Sequence, residues 1–259
     1  MRIVLATLLA CATLAAHAGR SCEVVPPQAD SVQRALQLAQ AVALRLDQSG
    51  AEAVVLARVG QDLGRYGQRY SHMAFAYRES IDGRDVWRVV HKLNQCGTAQ
   101  SAVYRQGLAE FFLDDLFDYQ AAIVVLTPDA QAKLLPVLRD DARLGQMHTA
   151  TYNMVAYPWS QTYQQSNQWA LETFALSQDP SATTRARAQA WLRLRNYEPA
   201  VLRLGAFTRL GARMTRANVA FDDHPDEKRF SDRIETVTAD SVLAWLQRTG
   251  LGAAPITVR

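Results

Sequence analysis

The stretch that decides the fold is residues 152–175, YNMVAYPWSQTYQQSNQWALETFA. It opens with aromatic and polar residues around Pro158, and from Asn167 onward its apolar residues recur at the spacing of an amphipathic helix. Ser166 stands where that helix begins. A serine at this place has two interpretations: it caps the free N–H groups of the first turn, or it is a nucleophile at the positive end of the helix dipole. A base elsewhere in the chain would favour the second.

The N-terminus has the pattern of a secretory signal over residues 1–18. Arg2 supplies a positive charge, an apolar run follows, and AHA at residues 16–18 is a small-x-small cleavage site. A lipoprotein-like box, LLAC at residues 8–11, would leave a very short apolar region. We therefore expect cleavage near Ala18, a periplasmic or secreted product, and no transmembrane segment in the mature chain.

The charge of the chain argues against a nucleic-acid partner. The 259 residues include 28 Lys and Arg against 25 Asp and Glu, a formal charge of +3, and loss of Arg2 lowers this to +2. Proteins that bind nucleic acids show a strong basic footprint. The apolar fraction of 49% can build a sizeable core. The length suits one domain with an appendage, which we place as a core over residues 19–180 and a helical and mixed C-terminal extension over residues 181–259.

Two cysteines, Cys22 and Cys96, remain after the signal is removed. In an oxidising compartment an even pair is interpreted first as a disulfide, which here ties the N-terminus to the middle of the chain. By the chain-entropy argument a loop of that length stabilises by about 4 kcal/mol. Two buried free thiols are the alternative. The two residues are too far apart in sequence to make a zinc site by themselves.

A predicted hairpin carries both candidate histidines. Its strands read SHMAFAY and VWRVVHKL, and the pair Asp82-Gly83 between them is a strong signal for a two-residue turn. With that turn, the numbers of opposed residues sum to 165, so that His72 and His91 become diagonal neighbours on one face of the sheet. A slip of one residue would separate them. Each histidine also has a simpler interpretation as a structural residue of the core.

The other elements follow from periodicity and capping. Helices are predicted over residues 31–46 with Ser31 as the cap, over 101–113, from Thr127 to about 145, over 181–195 with a basic solvated face, and near 241–247; strands are predicted over 52–58 and 121–126. An antiparallel hairpin flanked by helices indicates the α+β class.

Three short motifs follow one another in the chain. SHMAF begins at Ser71, VVH ends at His91, and SNQWA begins at Ser166. In this order they resemble the histidine strand, the orienting residue and the nucleophile helix of the circularly permuted papain-like superfamily, which includes the NlpC-type cell-wall peptidases and their lipid-acting relatives. The resemblance covers residues 52–176 and implies a permuted papain-like fold, with an antiparallel central sheet packed by helices. The segments LNQCG and 152–172 look more closely like an uncharacterised bacterial secreted family of unknown function.

The resemblance implies a hydrolase of amide or ester bonds in the cell envelope. Ser166 would be the nucleophile, His72 its base and His91 the residue that orients the base. The superfamily uses a thiolate, and serine is far less acidic. The alternative is therefore a catalytically inactive cleft protein that binds an envelope peptide, lipid or protein partner. The residues expected to line the cleft are Tyr152, Asn153, Tyr157, Gln165 and Asn167.

An acidic turn forms a rival site. Asp222, Asp223, His224 and Asp226 combine carboxylates with one histidine, which are ligands that suit a metal ion. Consecutive residues point in diverging directions, however, and Pro225 is typical of a surface turn. We interpret the segment as an acidic surface loop and expect neither a metal nor another cofactor.

Overall fold

The computed structural model describes residues 26–259, which form an α+β arrangement around one six-stranded sheet. The strands are β1 Ala53–Val59, β2 His72–Ile81, β3 Arg84–Asn94, β4 Ser101–Gly107, β5 Asp118–Val125, β6 Ala200–Arg203, β7 Arg233–Thr236 and β8 Ile256–Val258. The helices are α1 Ala29–Gln48, α2 Leu108–Phe112, α3 Pro128–Leu138, α4 Asp141–Gln146, α5 Ser166–Gln178, α6 Arg185–Leu194, α7 Ala206–Thr215, α8 Asp226–Arg229 and α9 Ala239–Arg248, with a 3₁₀ turn at Gly64–Tyr66.

Some of the sequence-based expectations fall on residues 1–25, outside the described residues. These are the signal segment with cleavage near Ala18, the periplasmic or secreted location that depends on it, and the disulfide from Cys22 to Cys96. They stay predictions. No helix among residues 26–259 is long and apolar enough to cross a membrane.

The sheet has the strand order β4-β3-β2-β1-β5-β8, and each neighbouring pair is antiparallel. All seven residues of β1 are buried, because the strand, apolar except for Arg58, has a helical layer on each side. Val55 and Ala57 face a core shared with α3, α5, α6 and α9, whereas Val54 and Leu56 face a second core shared with α1 and α2. The expected α+β class, with an antiparallel central sheet packed by helices, is confirmed.

Helix α5 is buried along nearly its whole length. The predicted apolar face of Trp169 and Phe174 lies in the main core, and the polar side chains of Gln168 and Glu172 are buried as well. A helix enclosed on all sides must satisfy its polar groups internally, because an unpaired buried polar group is costly.

The C-terminal part of the chain joins the main sheet at one point and forms a small sheet at another. β8 pairs with β5, and Trp245 of α9 lies in the main core. β6 and β7 form a separate two-stranded sheet, with a small apolar cluster that includes Leu202, Phe221 and Ile234. The division of the chain at residue 180 stays a prediction.

Three local predictions about helices need correction. The helix predicted over residues 101–113 is wrong: the segment is strand β4 followed by the short helix α2, because β4 supplies the backbone partner that the edge of β3 needs. Ser31 is not the cap of α1, which begins at Ala29. Thr127 is confirmed as the cap of α3 and accepts a hydrogen bond from the N–H of Ala130, but α3 ends at Leu138 and Asp140 caps a new helix, α4.

A buried ion pair joins α5 to α6. Arg185 Nε donates to Glu172 Oε2 at 2.7 Å, and the two side chains are only 7% and 1% exposed. The predicted solvated face of this basic segment is therefore wrong for Arg185. Its guanidinium also donates to the carbonyls of Ser160, Gln161 and Tyr163. The pair thus fixes the irregular segment that leads into α5.

Lys92 of β3 extends this buried network. Its Nζ donates to the carbonyl of Thr149 and to Gln164 Oε1, both at 2.7 Å. Burial first, and then the Arg185 charge, lowers the pKa of Lys92 from 10.5 to about 6, although Glu172 opposes the shift. The Lys92 side chain is therefore largely an uncharged amine at pH 7.

We expect Lys92 to make the protein more stable as the pH rises from about 6 toward 10.5. In that window the unfolded chain keeps a proton on Lys92 that the folded chain has lost, so the free energy of unfolding increases with pH by up to about 1.4 kcal/mol per unit. Denaturant unfolding of wild type and Lys92→Met at several pH values measures this. The stability difference in favour of wild type should grow with pH, and a constant difference would contradict the prediction.

Candidate functional site

The predicted hairpin is confirmed in its turn and register. β2 and β3 pair from Ile81 opposite Arg84 to Phe75 opposite Val90, so that opposed residue numbers sum to 165. Asp82 has φ 52° and Gly83 has φ 74°. Positive φ at both central residues is the requirement of a type I′ turn, whose twist matches that of the strands.

The hairpin brings the two candidate histidines into contact, as predicted. His72 Nε2 lies 2.9 Å from His91 Nδ1, and the ring centroids are 5.2 Å apart. The ring of Phe111 from α2 packs against both imidazoles, at centroid distances of 6.0 and 5.2 Å. The pair is therefore held between the sheet and α2.

A chain of hydrogen bonds fixes the proton positions of both rings. Gln106 Nε2 donates to Glu110 Oε1 at 3.1 Å, so Gln106 Oε1 is the atom that faces His91 Nε2, at 2.7 Å. A carbonyl oxygen only accepts, so neutral His91 carries its proton on Nε2 and accepts at Nδ1. His72 must then donate from Nε2. Neutral His72 is left with a lone pair on Nδ1.

Both histidines are neutral at pH 7. Burial is the main cause that lowers the pKa of His72 well below 6.5, and the nearby Arg58 charge adds to it. The same two causes lower the pKa of His91 to about 4. Arg58 is held by the Phe111 carbonyl and by Asp114. The tautomers set by the hydrogen bonds are therefore the populated forms.

Ser166 is the first residue of α5, and its predicted role as the helix cap is wrong. Gln165 is the cap: its Oε1 accepts from the N–H of Asn167 at 2.7 Å, while its Nε2 donates to the carbonyl of Val237. The Ser166 hydroxyl is 3.5 Å from the hydroxyl of Tyr152. The serine side chain is thus not needed to close the first turn.

Asn167 joins the start of α5 to the hairpin. Its Oδ1 accepts from the N–H of Met73 at 2.9 Å. Met73 lies two residues before Phe75, where the regular pairing of β2 with β3 ends. The helix N-terminus therefore lies against the end of the sheet where His72 begins β2. This contact brings the three motifs of the sequence together.

Ser166 and His72 line one cavity of about 460 Å³. Its lining also includes Ser71, Tyr152, Gln165 and Asn167, together with residues of β6, of α7 and of the segment after α7. Within residues 26–259, no hydrogen bond connects Ser166 to His72, and none is made by His72 Nδ1. The two groups share a cavity with the lone pair of the histidine unused.

Two residues expected to line the cleft have other contacts. Asn153 is fully buried and bonds through both side-chain atoms to the backbone of Ala220. The N–H of Tyr157 donates to Asp223 Oδ2, and its ring packs on His224. Neither is among the residues that line the cavity, and both hold the segment before α5 to the C-terminal part of the chain.

The acidic turn is only partly a surface loop. The side chains of Asp223 and His224 are completely buried, and Asp223 Oδ1 lies 3.0 Å from His224 Nδ1, so the surface interpretation is wrong for these two residues. His224 Nε2 contacts the Glu235 carbonyl at 3.0 Å. No group of three or more possible metal ligands occurs in the described part of the chain.

Sequence reasoning missed the residues behind the histidines. Gln106 and Glu110 fall in the segment that was predicted to be one helix. Gln106 reaches His91 only because the segment is a strand in which Gln106 lies opposite Val89 of β3. The available signal was the open edge of β3, which needed a pairing strand. Arg58 was identified only as the end of a strand.

We expect Ser166→Cys to create a reactive thiol, because neutral His72 can take the thiol proton and the helix N-terminus favours the thiolate. Iodoacetamide labelling, read by mass against the wild-type background, should be at least about tenfold slower when His72→Ala is added. Ser241→Cys, in the first turn of α9, provides a control helix start. Equal, slow labelling with and without His72 would show that no base acts at Ser166.

Comparison with known proteins identifies a family and no characterised relative. No curated protein and no solved structure matches the chain. A bacterial family matches residues 45–246, which are 202 of the 259 residues. This agrees with the expected membership of an uncharacterised bacterial family. The chain therefore belongs to the family described as "Uncharacterized protein conserved in bacteria (DUF2145)".

Proposed function

We propose that this protein is a serine hydrolase of amide or ester bonds in the cell envelope. Ser166 is the nucleophile, His72 the general base and His91 the residue that orients His72. The observation that carries the proposal is the hydrogen-bond chain from Glu110 to His72, which leaves the Nδ1 lone pair of a neutral imidazole unused on a residue that lines the same cavity as Ser166. A base in this state is what a hydroxyl nucleophile requires.

We further propose a permuted papain-like fold. The support is the order of the elements: a strand that begins with His72, a neighbouring strand with His91, and, later in the chain, the buried helix that begins with Ser166. Since the fold alone does not decide the chemistry, the case for hydrolysis depends on the site.

The proposed reaction is a two-step acyl transfer. Ser166 Oγ attacks the carbonyl carbon while its proton passes to His72 Nδ1, and the imidazolium keeps its Nε2–H bond to His91. The tetrahedral intermediate then expels the amine or alcohol, which takes the proton from Nδ1. Water then attacks the acyl carbon while its proton passes to the same nitrogen. The second tetrahedral intermediate expels Ser166 Oγ, which takes that proton back as the carboxylic acid leaves. Each step returns His72 to the neutral state that its lowered pKa favours.

The oxyanion would form near the N-terminus of α5. Backbone N–H groups at a helix start are suited to a developing negative charge. Tyr152 can add a second donor, because its oxygen accepts from Ser166 Oγ at 3.5 Å and its own O–H remains available. Burial raises the pKa of Tyr152 despite the opposing contact with Ser166, so the phenol stays protonated at neutral pH.

A second candidate is a binding protein without catalysis. It is favoured by one observation: among the described residues the Ser166 hydroxyl contacts Tyr152, and no hydrogen bond connects it to His72. Catalytic hydrogen bonds are often long without substrate, so the geometry is compatible with both functions. In this alternative the cavity holds an envelope peptide or lipid, or part of a protein partner, without cleaving it.

We expect a fluorophosphonate probe to label Ser166. Wild-type protein should gain the probe's mass on the peptide that contains Ser166, while Ser166→Ala and His72→Ala should lose the labelling. Ser71→Ala is the matched control, because Ser71 lines the same cavity but its hydroxyl is held by the N–H groups of Gly60 and Gln61. This variant should label as wild type does.

The pH profile of labelling provides a second readout. The reaction requires neutral His72, whose pKa lies well below 6.5, so the rate should stay level from pH 8 to below 6.5 and fall only at lower pH. Absence of labelling in folded wild type, or equal labelling of Ser166→Ala, would leave the binding function as the better account.

A further inference from the structure

Helix α7 exposes its large apolar side chains to solvent. Phe207 is 91% exposed, Leu210 57% and Met214 78%, and their spacing of three and four residues places them on one face of the helix. No residue of α7 is buried. A contiguous exposed apolar face of this kind marks an interaction surface.

A neighbouring face of the helix, about 120° around its axis, carries small residues and lines the cavity. Thr208, Gly211, Ala212 and Thr215 belong to the wall of the cavity that Ser166 and His72 also line. This is the reverse of an ordinary surface helix, in which the bulky apolar side chains face the core. The outward face of α7 therefore has no role in the folding of the described chain.

The segment that contains α7 carries a net positive charge. Residues 200–221 contain four arginines and neither Asp nor Glu. Arg209 is paired with Asp232, and Arg216 contacts Met154 Sδ. Arg203 and Arg213 are exposed, and no ion pair to another described residue is made by either. Exposed apolar residues flanked by arginines are typical of a helix that lies in the interface of an anionic bilayer.

We propose that α7 docks on an anionic phospholipid surface. Phe207, Leu210 and Met214 insert between the lipids, while Arg203 and Arg213 contact the phosphate groups. Because a neighbouring face of the same helix lines the cavity, docking places that cavity beside the lipid layer. The proposal does not require Ser166 to be a nucleophile, since membrane binding and catalysis depend on different residues of α7.

The arginines also argue against a second copy of the chain as the occupant. A two-fold interface brings the same patch of both copies together, so the arginines of one α7 would lie near those of the other. Like charges at such a contact oppose association. An anionic surface instead complements the patch.

Vesicle binding tests the proposal. Mature protein should co-sediment with vesicles of phosphatidylcholine containing 30% phosphatidylglycerol at least about tenfold more strongly than with phosphatidylcholine alone, and salt should weaken the binding. The double variant Phe207→Ser, Leu210→Ser should bind at least about tenfold more weakly. Arg213→Gln should reduce the preference for the anionic vesicles.

Leu194→Ser is the matched control, since Leu194 is 79% exposed at the end of α6 and lies between Arg193 and Arg195 in the sequence. It should bind vesicles as wild type does, and so should Ser166→Ala. Equal binding of the α7 variants and wild type would overturn the proposal, as would absence of binding to anionic vesicles. A dimer in light scattering that Phe207→Ser dissociates would overturn it in favour of a second copy.

Discussion

The buried ion pair between Glu172 and Arg185 is the interaction on which the site depends. It connects α5 to α6, and the same guanidinium holds three carbonyls of the segment that enters α5. Gln164 bonds to Glu172 Oε2 at 2.6 Å and to Lys92 Nζ at 2.7 Å, so the network extends to β3. Loss of one partner would leave a buried charge unpaired, which typically costs about 3–5 kcal/mol. The position of Ser166 relative to the sheet therefore depends on charges remote from the cavity.

The other half of the site is positioned by a local constraint. The Asp82-Gly83 turn sets the register that places His72 beside His91, and Gln106 of β4 then fixes their tautomers. The bond from the Met73 N–H to Asn167 joins this half to α5. The hairpin and the start of α5 are about seventy residues apart in the sequence, and these contacts hold them around one cavity.

What the sequence could predict depended on short-range chemistry. The turn at Asp82, the cap at Thr127 and the contact of the histidines each follow from a few neighbouring residues and are present in the structure. The strand nature of 101–107 depends on the open edge of β3, and the choice of Gln165 over Ser166 as cap depends on Val237, far along the chain. A local sequence pattern carries no information about such distant partners. At both places tertiary contacts therefore decided the structure against the local preference for a helix over 101–113 and for a serine cap.

The central claim is that the hydrogen-bond chain leaves Nδ1 of His72 unprotonated in a neutral ring. Long-range ¹H–¹⁵N correlation spectra of the histidine side chains at pH 7, assigned with His72→Ala and His91→Ala, measure the tautomers directly. The account predicts neutral rings with the proton on Nε2 in both His72 and His91. A proton on Nδ1 of His72, or a charged His72 ring at pH 7, would contradict it.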